Sequence, residues 1–520
     1  MQKLPEDPSR QKSAGVRTAA PTPMKTLLDS FPTFDTAPVG GLKVSPEQLE
    51  RLMPGGPYEA DVLVIGAGPG GYVSAIRAAQ LGAKTICVEK GALGGVCLNV
   101  GCIPTKTLIA TAELVHNIKR ADTFGVKVGE PQIDVAKMMD RKNKVVKQLT
   151  GGVGVLFKKH NVEHIQGAAR LLDPHTVEVT LNEGGSRAIT ARNIIVATGS
   201  VPALLPLPGF EIGNNVWTSN EALEITDIPK SVLIIGAGAI GLEFGYTFNC
   251  LGSEVTIVEL MPQIVPAADT QMANEMEKCL KRQGIKIMTG AGVTKAEDIA
   301  GGKRVFINTP KGEITVEVEK VLVAVGRRPV SENLGLEEVG VKIDRRKIVV
   351  DDHMRTAVPS IYAIGDVIGE PMLAHIAWTE GEVAVANCMG KDTAMDYRVF
   401  PACVYSLPEL ASVGLTEEQA REKHGDVRIG TFPFAANGKA LGMNERDGMV
   451  KIIAEPRYNE ILGVHILGPH ATDLISEAVV AMHNEATVEE IITAIHPHPT
   501  LSEPVQEAAM DVLGESIHKG

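Results

Sequence analysis

The sequence predicts an α/β protein that contains two parallel sheets and a smaller C-terminal α+β domain. Three observations support this prediction. An apolar run from Asp61 to Ile65 leads into a glycine-rich loop and then into a stretch with the apolar spacing of a helix. The same order of features recurs 170 residues later. After residue 396 the pattern changes to alternating strands followed by helical segments.

The first repeat has the order strand, loop, helix and strand. Gly66 permits a tight turn, Gly68 lets the backbone approach a pyrophosphate, and Gly71 lets the helix pack on the strand. The helix N-terminus would present free N–H groups to the phosphates. Glu89 closes the second strand, where a carboxylate can accept hydrogen bonds from ribose hydroxyls. The repeat therefore predicts a Rossmann-like dinucleotide-binding unit.

The second repeat carries the same features at Gly236, Gly238, Gly241 and Glu259. The interval from the first glycine to the acidic residue is 23 residues in both repeats. A carboxylate at Glu259 repels a 2′-phosphate, and no Arg follows it at once, so the sequence favours NAD over NADP. We therefore predict two dinucleotide-binding domains.

Domain boundaries follow from composition and from further strand-then-glycine segments at 193–200, 320–327 and 360–366. Residues 1–59 hold nine of the 31 prolines and predict an extension that is flexible, with a targeting peptide as the weaker alternative. We assign residues 60–200 and 327–396 to the first dinucleotide-binding domain, 201–326 to the second, and 397–520 to the C-terminal domain.

The composition excludes several functional classes. Sixty-three acidic and 51 basic residues give a net charge of −12, which argues against a nucleic-acid partner. No uncharged apolar run reaches the roughly 18 residues that a membrane span needs. Seven cysteines in 520 residues do not make a disulfide-stapled secreted scaffold. With no secretory signal in the sequence, we expect a cytoplasmic location.

Cys97 and Cys102 are the one clustered cysteine pair, and they lie in a glycine-rich stretch. Five residues of separation allow a disulfide if the backbone bends, and Gly101 would permit that bend. A thiol at a helix N-terminus has a lowered pKa, and Lys106 adds a nearby cation. A redox-active disulfide is the favoured interpretation. The alternatives are two buried thiols that never pair, or half of a zinc site that lacks a second pair with matching spacing; we predict no metal.

A second candidate for chemistry is His498, which Glu503 follows five residues later. Across a turn into a helix, the carboxylate could hold the imidazole in one tautomer, as it would for a general base. With His496 close by, a loop metal site or an ordinary surface position are the alternatives.

Seven motifs together resemble those of the flavin-dependent pyridine nucleotide–disulfide oxidoreductases, and within that family those of the dihydrolipoamide dehydrogenases most closely. The resemblance extends over about residues 60–515. The motifs are GGVCLNVGCIPTK (94–106), ATGS (197–200), GAGAIGLE (236–243), AVGRRP (324–329), YAIGDV (362–367), PMLAH (371–375) and HPHPTLSE (496–503).

The resemblance implies that the first repeat holds FAD and the second holds NAD. Lys106 would lie at the reactive edge of the flavin, Asp366 would bind the ribityl or phosphate end, and Ala374 would touch the isoalloxazine. The 324–327 segment, with Gly326 and Arg327, would contact NAD. The other cofactor contacts implied are Lys90, Gly95, Val96, Gly167, Thr198, Gly199, Ser200 and Val293.

The resemblance also implies a catalytic cycle and partners. Cys97 would be the thiol that exchanges with substrate, Cys102 would face the flavin, and His498 with Glu503 would supply the base from the other subunit of a homodimer. Electrons would pass from protein-bound dihydrolipoamide through the disulfide and FAD to NAD⁺. The partners would be lipoyl domains of acyltransferase or carrier proteins in 2-oxoacid dehydrogenase or glycine cleavage complexes.

Two other enzymes and one other functional class are the alternatives. A mercuric-ion reductase would carry a further C-terminal cysteine pair, whereas the last cysteine here is Cys403. A glutathione-type reductase would prefer NADPH, which Glu259 disfavours. A redox-sensing protein of low turnover would not need both a cysteine pair and a base.

Overall fold

The computed structural model describes residues 58–213 and 215–519. The predicted extension, residues 1–59, lies outside the described residues except for Tyr58 and Glu59. The remaining chain has the predicted architecture of two parallel sheets followed by an α+β domain.

The first parallel sheet forms around buried apolar strands. Its elements are β1 (Ala60–Ile65), α1 (Pro69–Gln80), β2 (Thr85–Glu89), α2 (Gly95–Val100), α3 (Cys102–Lys119), α4 (Val135–Lys159), β3 (Glu163–Asp173), β4 (Thr176–Leu181), β5 (Ser186–Val196) and the short β6 (Ser200–Pro202). Strands β3, β2, β1 and β5 run parallel in that spatial order, with Val62 of β1 level with Thr85 and Asn193 of its neighbours. The outer parts of β3 and β5 pair antiparallel with β4. Val62, Leu63 and Val64 are fully buried, as expected for a sheet covered on both faces.

The second sheet repeats this plan. Its elements are β7 (Val216–Trp217), α5 (Ser219–Ala222), β8 (Ser231–Ile235), α6 (Ala239–Leu251), β9 (Glu254–Val258), α7 (Thr270–Arg282), β10 (Lys286–Met288), β11 (Gly292–Ile299), β12 (Gly302–Thr309), β13 (Gly312–Val318), β14 (Lys320–Val323) and β15 (Arg327–Pro329). The parallel order is β10, β9, β8, β14, β7, and β11 to β13 form an antiparallel meander. Strand β15 pairs with β6, so a two-stranded ribbon connects the two halves.

The chain then returns to the first sheet. The elements are β16 (Ile343–Asp344), β17 (Lys347–Ile348), β18 (Ile361–Ala363) and α8 (Ala374–Cys388). Strand β18 adds in parallel beside β5, and α8 packs on α1. Because β18 joins the first sheet after the second sheet is complete, that sheet is built from two separate parts of the chain.

The C-terminal part is a five-stranded antiparallel sheet with helices on it. Its elements are β19 (Pro401–Val404), β20 (Glu409–Gly414), α9 (Glu417–His424), β21 (Arg428–Pro433), α10 (Gly438–Met443), β22 (Met449–Ala454), β23 (Ile461–Gly468), α11 (Ala471–His483), α12 (Val488–Thr493) and α13 (Glu503–Val512). The spatial order is β19, β20, β23, β22, β21. Helix α11 packs on β20 and β23, and α13 packs on β21 and β22.

Within residues 58–213 and 215–519, one stretch, Gly95–Lys119, is long and apolar enough by composition to cross a bilayer, with a mean hydropathy of 1.2. Gly101 separates this stretch into α2 and α3. Helix α3 packs against α4 and α6, which is the setting of a core helix between two domains.

Candidate active site

The first glycine loop is fixed by contacts that allow no side chain. Gly66 has φ +103°, and a Cβ there would lie 2.3 Å from the carbonyl oxygen of Ala197. A Cβ on Gly71 would lie 1.9 Å from the carbonyl oxygen of Gly66, so α1 approaches the loop as closely as its backbone permits. Glu89 accepts a hydrogen bond from the N–H of Ala67 at 2.7 Å. This bond ties the carboxylate to the loop.

The second glycine loop has the same contacts. Gly236 has φ +101°, and a Cβ there would lie 2.4 Å from the carbonyl oxygen of Ala324. A Cβ on Gly241 would lie 2.0 Å from the oxygen of Gly236. Glu259 accepts a hydrogen bond from the N–H of Ala237 at 2.7 Å. The sequence repeat is therefore also a repeat of individual contacts.

Open space lies beside the second glycine loop and beside two further glycines. A Cβ built on Gly238 would meet nothing within 4 Å, and the same is true at Gly199 and Gly326. Gly68 lies against Gly95, because a Cβ on Gly95 would lie 2.5 Å from the Gly68 Cα atom. Open space lined by glycine backbone, next to helix N-termini, is the environment that a pyrophosphate requires.

A polar cluster lies where β5 and β18 end. Thr198 donates its hydroxyl proton to the Val330 carbonyl at 2.6 Å, and the Ser200 hydroxyl donates to Asp366. The resemblance assigned Arg327 to the second dinucleotide. Its guanidinium instead donates to the Ser200 hydroxyl at 2.7 Å and lies 3.7 Å from Asp366. Arg327 thus lies near Asp366, which is predicted to bind the first dinucleotide, and its own assignment to the second dinucleotide stays a prediction.

The remaining predicted cofactor contacts occupy separate places around the two loops. Lys90 follows Glu89 at the end of β2, Val96 lies in the first turn of α2, and Ala374 is the first residue of α8. Gly167 lies on β3, where a Cβ would be 2.5 Å from the oxygen of Thr180. Val293 lies on β11, opposite Ile307 of β12.

The cysteine pair lies at the junction of α2 and α3. Cys97 is in α2, and Cys102 is the first residue of α3. Gly101 bends the chain between them with φ −143° and ψ −118°, as the sequence predicted. Both cysteines are free and partly buried. The two thiols interact closely enough for each to shift the pKa of the other.

The pKa values of the two thiols are shifted in opposite directions. The hydrogen bond from Cys97 lowers the pKa of Cys102, burial opposes this, and the Lys106 ammonium adds to the lowering. The same hydrogen bond, together with burial, raises the pKa of Cys97. Cys102 is therefore the more acidic thiol of the pair, which favours it as the thiolate.

Lys106 is held by a buried carboxylate. Its ammonium lies 2.8 Å from the Glu243 carboxylate and 4.2 Å from the centre of the Tyr405 ring. The Glu243 side chain is only 6% exposed, and its oxygen also accepts the N–H of Tyr405 at 3.1 Å. Burial raises the pKa of Glu243, and the Lys106 ammonium lowers it. The pair joins α3 to α6 beside Cys102.

The predicted base has the expected partner. His498 Nδ1 lies 2.7 Å from Glu503, which is the first residue of α13 and also accepts the N–H of Thr500 at 2.8 Å. Burial raises the pKa of Glu503, but its hydrogen bonds with His498 and Thr500 lower the pKa by more than burial raises it. The net shift of this pKa is therefore downward. The His498 ring is 80% exposed in the protomer, whereas His496 is buried against Glu477 at 2.7 Å.

The described residues contain no cluster of three or more His, Cys, Asp or Glu side chains arranged to hold a metal ion.

Two sequence profiles cover most of the chain. The profile of the pyridine nucleotide-disulphide oxidoreductase family matches residues 60–381, and that of its dimerisation domain matches residues 400–509. The chain belongs to this family.

Its relatives within the family share much of the sequence. A dihydrolipoyl dehydrogenase of Thermus scotoductus is 46% identical over 88% of this chain and 98% of its own length. A mitochondrial dihydrolipoyl dehydrogenase of Pisum sativum is 42% identical over 92% of this chain and 96% of its own length. Among solved structures, a hypochlorous-acid-induced flavoprotein disulfide reductase of Escherichia coli is 28% identical with a TM-score of 0.78, covering 86% of this chain and 99% of its own.

Membership of the pyridine nucleotide-disulphide oxidoreductase family confirms several predictions. The family uses FAD and NAD(H), so the predicted cofactors and the predicted fold class are confirmed. The dimerisation domain supports the predicted homodimer. The roles of individual residues stay predictions.

One contact of the site was not predicted from the sequence, the Glu243 carboxylate against Lys106. A signal was present, because Glu243 is the one charged residue in the helix Ala239–Leu251. An acidic side chain inside a buried helix needs a cationic partner.

Proposed function

We propose that this chain oxidises protein-bound dihydrolipoamide to lipoamide and passes the electrons through a Cys97–Cys102 disulfide and FAD to NAD⁺. The observation that carries the proposal is the cysteine pair at the junction of α2 and α3, with the Lys106–Glu243 ion pair one turn further along α3. Relatives named dihydrolipoyl dehydrogenase, matched over most of the chain, support the choice of substrate.

Thiol–disulfide exchange explains the division of labour between the two cysteines. A substrate thiolate attacks the Cys97 sulfur of the oxidised pair, which forms a mixed disulfide and releases Cys102 as a thiolate. The low pKa of Cys102 makes it the better leaving group. The second thiol of the substrate then attacks the substrate sulfur that is bonded to Cys97 in the mixed disulfide. Cys97 leaves as a thiol, and the two substrate sulfurs form the disulfide of lipoamide.

The residues that would hold FAD are those of the first glycine loop, Glu89 and the polar cluster of Ser200, Arg327 and Asp366. When bound, FAD would take the electron pair from the cysteine pair and deliver it as hydride to NAD⁺. The second loop with Glu259 would hold NAD⁺. Lys106 keeps a positive charge beside Cys102, which stabilises the thiolate that must form there.

His498 would act as the base from the partner subunit of a homodimer. Its imidazole takes the proton of the attacking substrate thiol, because the thiolate and not the thiol is the nucleophile. Two features support this role: the ring is oriented by Glu503, and it is 80% exposed in one protomer. A base facing outward can serve a site that two subunits share.

The partners and location that fit this function are also proposals. Lipoyl domains of acyltransferase or carrier proteins would present the dihydrolipoamide arm, and the enzyme would work in the cytoplasm. The domain boundaries predicted from the sequence, at 60–200 with 327–396, 201–326 and 397–520, stay proposals.

A substrate panel on the FAD-loaded protein tests the function. We expect turnover of dihydrolipoamide with NAD⁺ and none of glutathione disulfide with NADPH, because the carboxylate at Glu259 repels a 2′-phosphate. We expect Cys97→Ser and Cys102→Ser each to abolish dihydrolipoamide oxidation while FAD stays bound. Substantial residual turnover in either variant would overturn the disulfide assignment.

A second variant tests the base. We expect His498→Ala to lower the rate by ~10²-fold, which is the scale of a lost general base. The buried neighbour His496 provides the control, because His496→Gln removes an imidazole two residues away that contacts Glu477. If both variants lose the same amount of activity, the loss reflects the loop and not the base.

A further inference from the structure

A short segment crosses the second glycine loop and links it to the C-terminal domain. This segment, residues 260–269, is called the strap here. It begins after Glu259 and ends at Asp269, the N-cap of α7. In its middle, the N–H of Val265 donates to the carbonyl oxygen of Ala237 at 2.9 Å. The strap therefore contacts the same loop residue whose N–H is held by Glu259.

The first repeat makes the same contact with a different residue. There the N–H of Gly94 donates to the carbonyl oxygen of Ala67 at 2.8 Å. Gly94 has φ +92°, a region open to glycine, whereas Val265 has φ +41°. A β-branched residue rarely adopts a positive φ, so the second repeat keeps this contact under backbone strain. Such strain persists only when the surrounding structure holds it in place.

A fully buried ionic lock fixes the end of the strap. Asp269 is 0% exposed, and its carboxylate accepts the ammonium of Lys451 at 2.9 Å, the N–H of Gln271 at 3.1 Å and the N–H of Glu417 at 3.1 Å. Lys451 is 1% exposed and also pairs with the Glu417 carboxylate at 2.8 Å. One carboxylate thus caps α7, meets the start of α9 and binds a cation from β22.

We propose that Asp269 is a positioning residue for NAD⁺ binding: its lock with Lys451 holds the strap in the strained conformation in which Val265 fixes the second glycine loop. The inference rests on the proposed assignment of that loop to NAD⁺. Asp269 makes no direct contact with the second glycine loop. It acts by keeping that loop preorganised. A preorganised loop binds its ligand without the cost of ordering it.

Asp269→Asn tests the lock with little change of shape, since Asn also serves as an N-cap. On the FAD-loaded protein, we expect calorimetry to show that Asp269→Asn binds NAD⁺ about tenfold more weakly. A loss of this size matches the strain energy of one residue in an unfavourable backbone conformation. Asp134→Asn makes the same change at the N-cap of α4, where Asp134 accepts the N–H of Lys137 and binds no cation. This control should keep the wild-type affinity.

A rescue variant separates positioning from a general structural role. Glycine adopts a positive φ without strain, so adding Val265→Gly to Asp269→Asn should restore most of the NAD⁺ affinity. Hydrogen exchange gives a second readout, because the Val265 amide should exchange faster in Asp269→Asn. If Asp269→Asn does not retain FAD, Glu417→Gln weakens the same lock more mildly, and the exchange measurement is made there.

The outcomes distinguish this inference from the proposed function. If the wild-type protein binds no NAD⁺, the proposed function fails. If the wild type binds NAD⁺ and Asp269→Asn binds it equally well, the positioning role is wrong. If the affinity falls and Val265→Gly does not restore it, the lock does not act through the strained strap, and the inference is also overturned.

Discussion

Replacing Lys106 with Met tests the electrostatics beside the thiol pair. The Lys106 ammonium lies 2.8 Å from Glu243, which corresponds to a Coulomb attraction of about 6 kcal/mol at an effective dielectric constant of about 20. Removing one partner of a buried pair typically costs about 3–5 kcal/mol, because the other charge is left without compensation. The Lys106 side chain is 32% exposed, so we expect a cost near the lower end, about 3 kcal/mol.

Thermal melting at fixed protein and FAD concentrations measures this loss. At about 2 °C per kcal/mol for a large domain, the melting temperature of Lys106→Met should fall by about 6 °C. The double variant Lys106→Met, Glu243→Gln should recover most of this loss, since no uncompensated charge remains. The single variant should raise the pKa of Cys102, because the nearby cation is gone, and the double variant should raise it less, because the Glu243 carboxylate that also raises it is removed. A single variant that melts within ~1 °C of the wild type, or a double variant no better than the single, would refute this reasoning.

Three further predictions concern the thiols, the loops and the base. Cys97→Ala removes the hydrogen bond that lowers the pKa of Cys102, whereas Cys97→Ser keeps a hydrogen-bond donor. The long-wavelength thiolate–flavin absorbance should therefore titrate at higher pH in the Ala variant than in the Ser variant. Gly238→Ala should weaken NAD⁺ binding without lowering the melting temperature, since its Cβ enters open space. Gly241→Ala should lower the melting temperature, since its Cβ would lie 2.0 Å from a carbonyl oxygen. Glu503→Gln should lower the turnover rate about tenfold with FAD content unchanged, because a weaker acceptor orients the imidazole.

The dinucleotide-binding repeats could be predicted from sequence because their determinants are local. A strand, a glycine loop, a helix and an acidic strand end occupy about 25 residues, and the last glycine of each loop is required by a contact inside that stretch. Gly71 and Gly241 illustrate this, since both would clash with the first glycine of their own loop. The bend at Gly101 was predictable for the same reason.

Contacts between distant parts of the chain could not be predicted in this way. Lys106 and Glu243 are 137 residues apart, and Asp269 and Lys451 are 182 residues apart. A single sequence shows that a buried charge needs a partner, but it does not identify that partner. Arg327 shows the same limit, because its hydrogen bond to Ser200 joins residues that are 127 apart in the sequence.

The location of the cysteine pair follows from the geometry of the first repeat. Gly94 closes on the first glycine loop and directly precedes Gly95, where a Cβ would lie 2.5 Å from the Gly68 Cα atom. Helix α2 therefore begins in contact with the loop, and Cys97 lies two residues further along. In the second repeat the helix after the strap, α7, begins at Thr270, and its N-cap Asp269 pairs with Lys451 of β22. The segment after the first loop thus carries the two cysteines, while the segment after the second loop carries the buried carboxylate that pairs with Lys451.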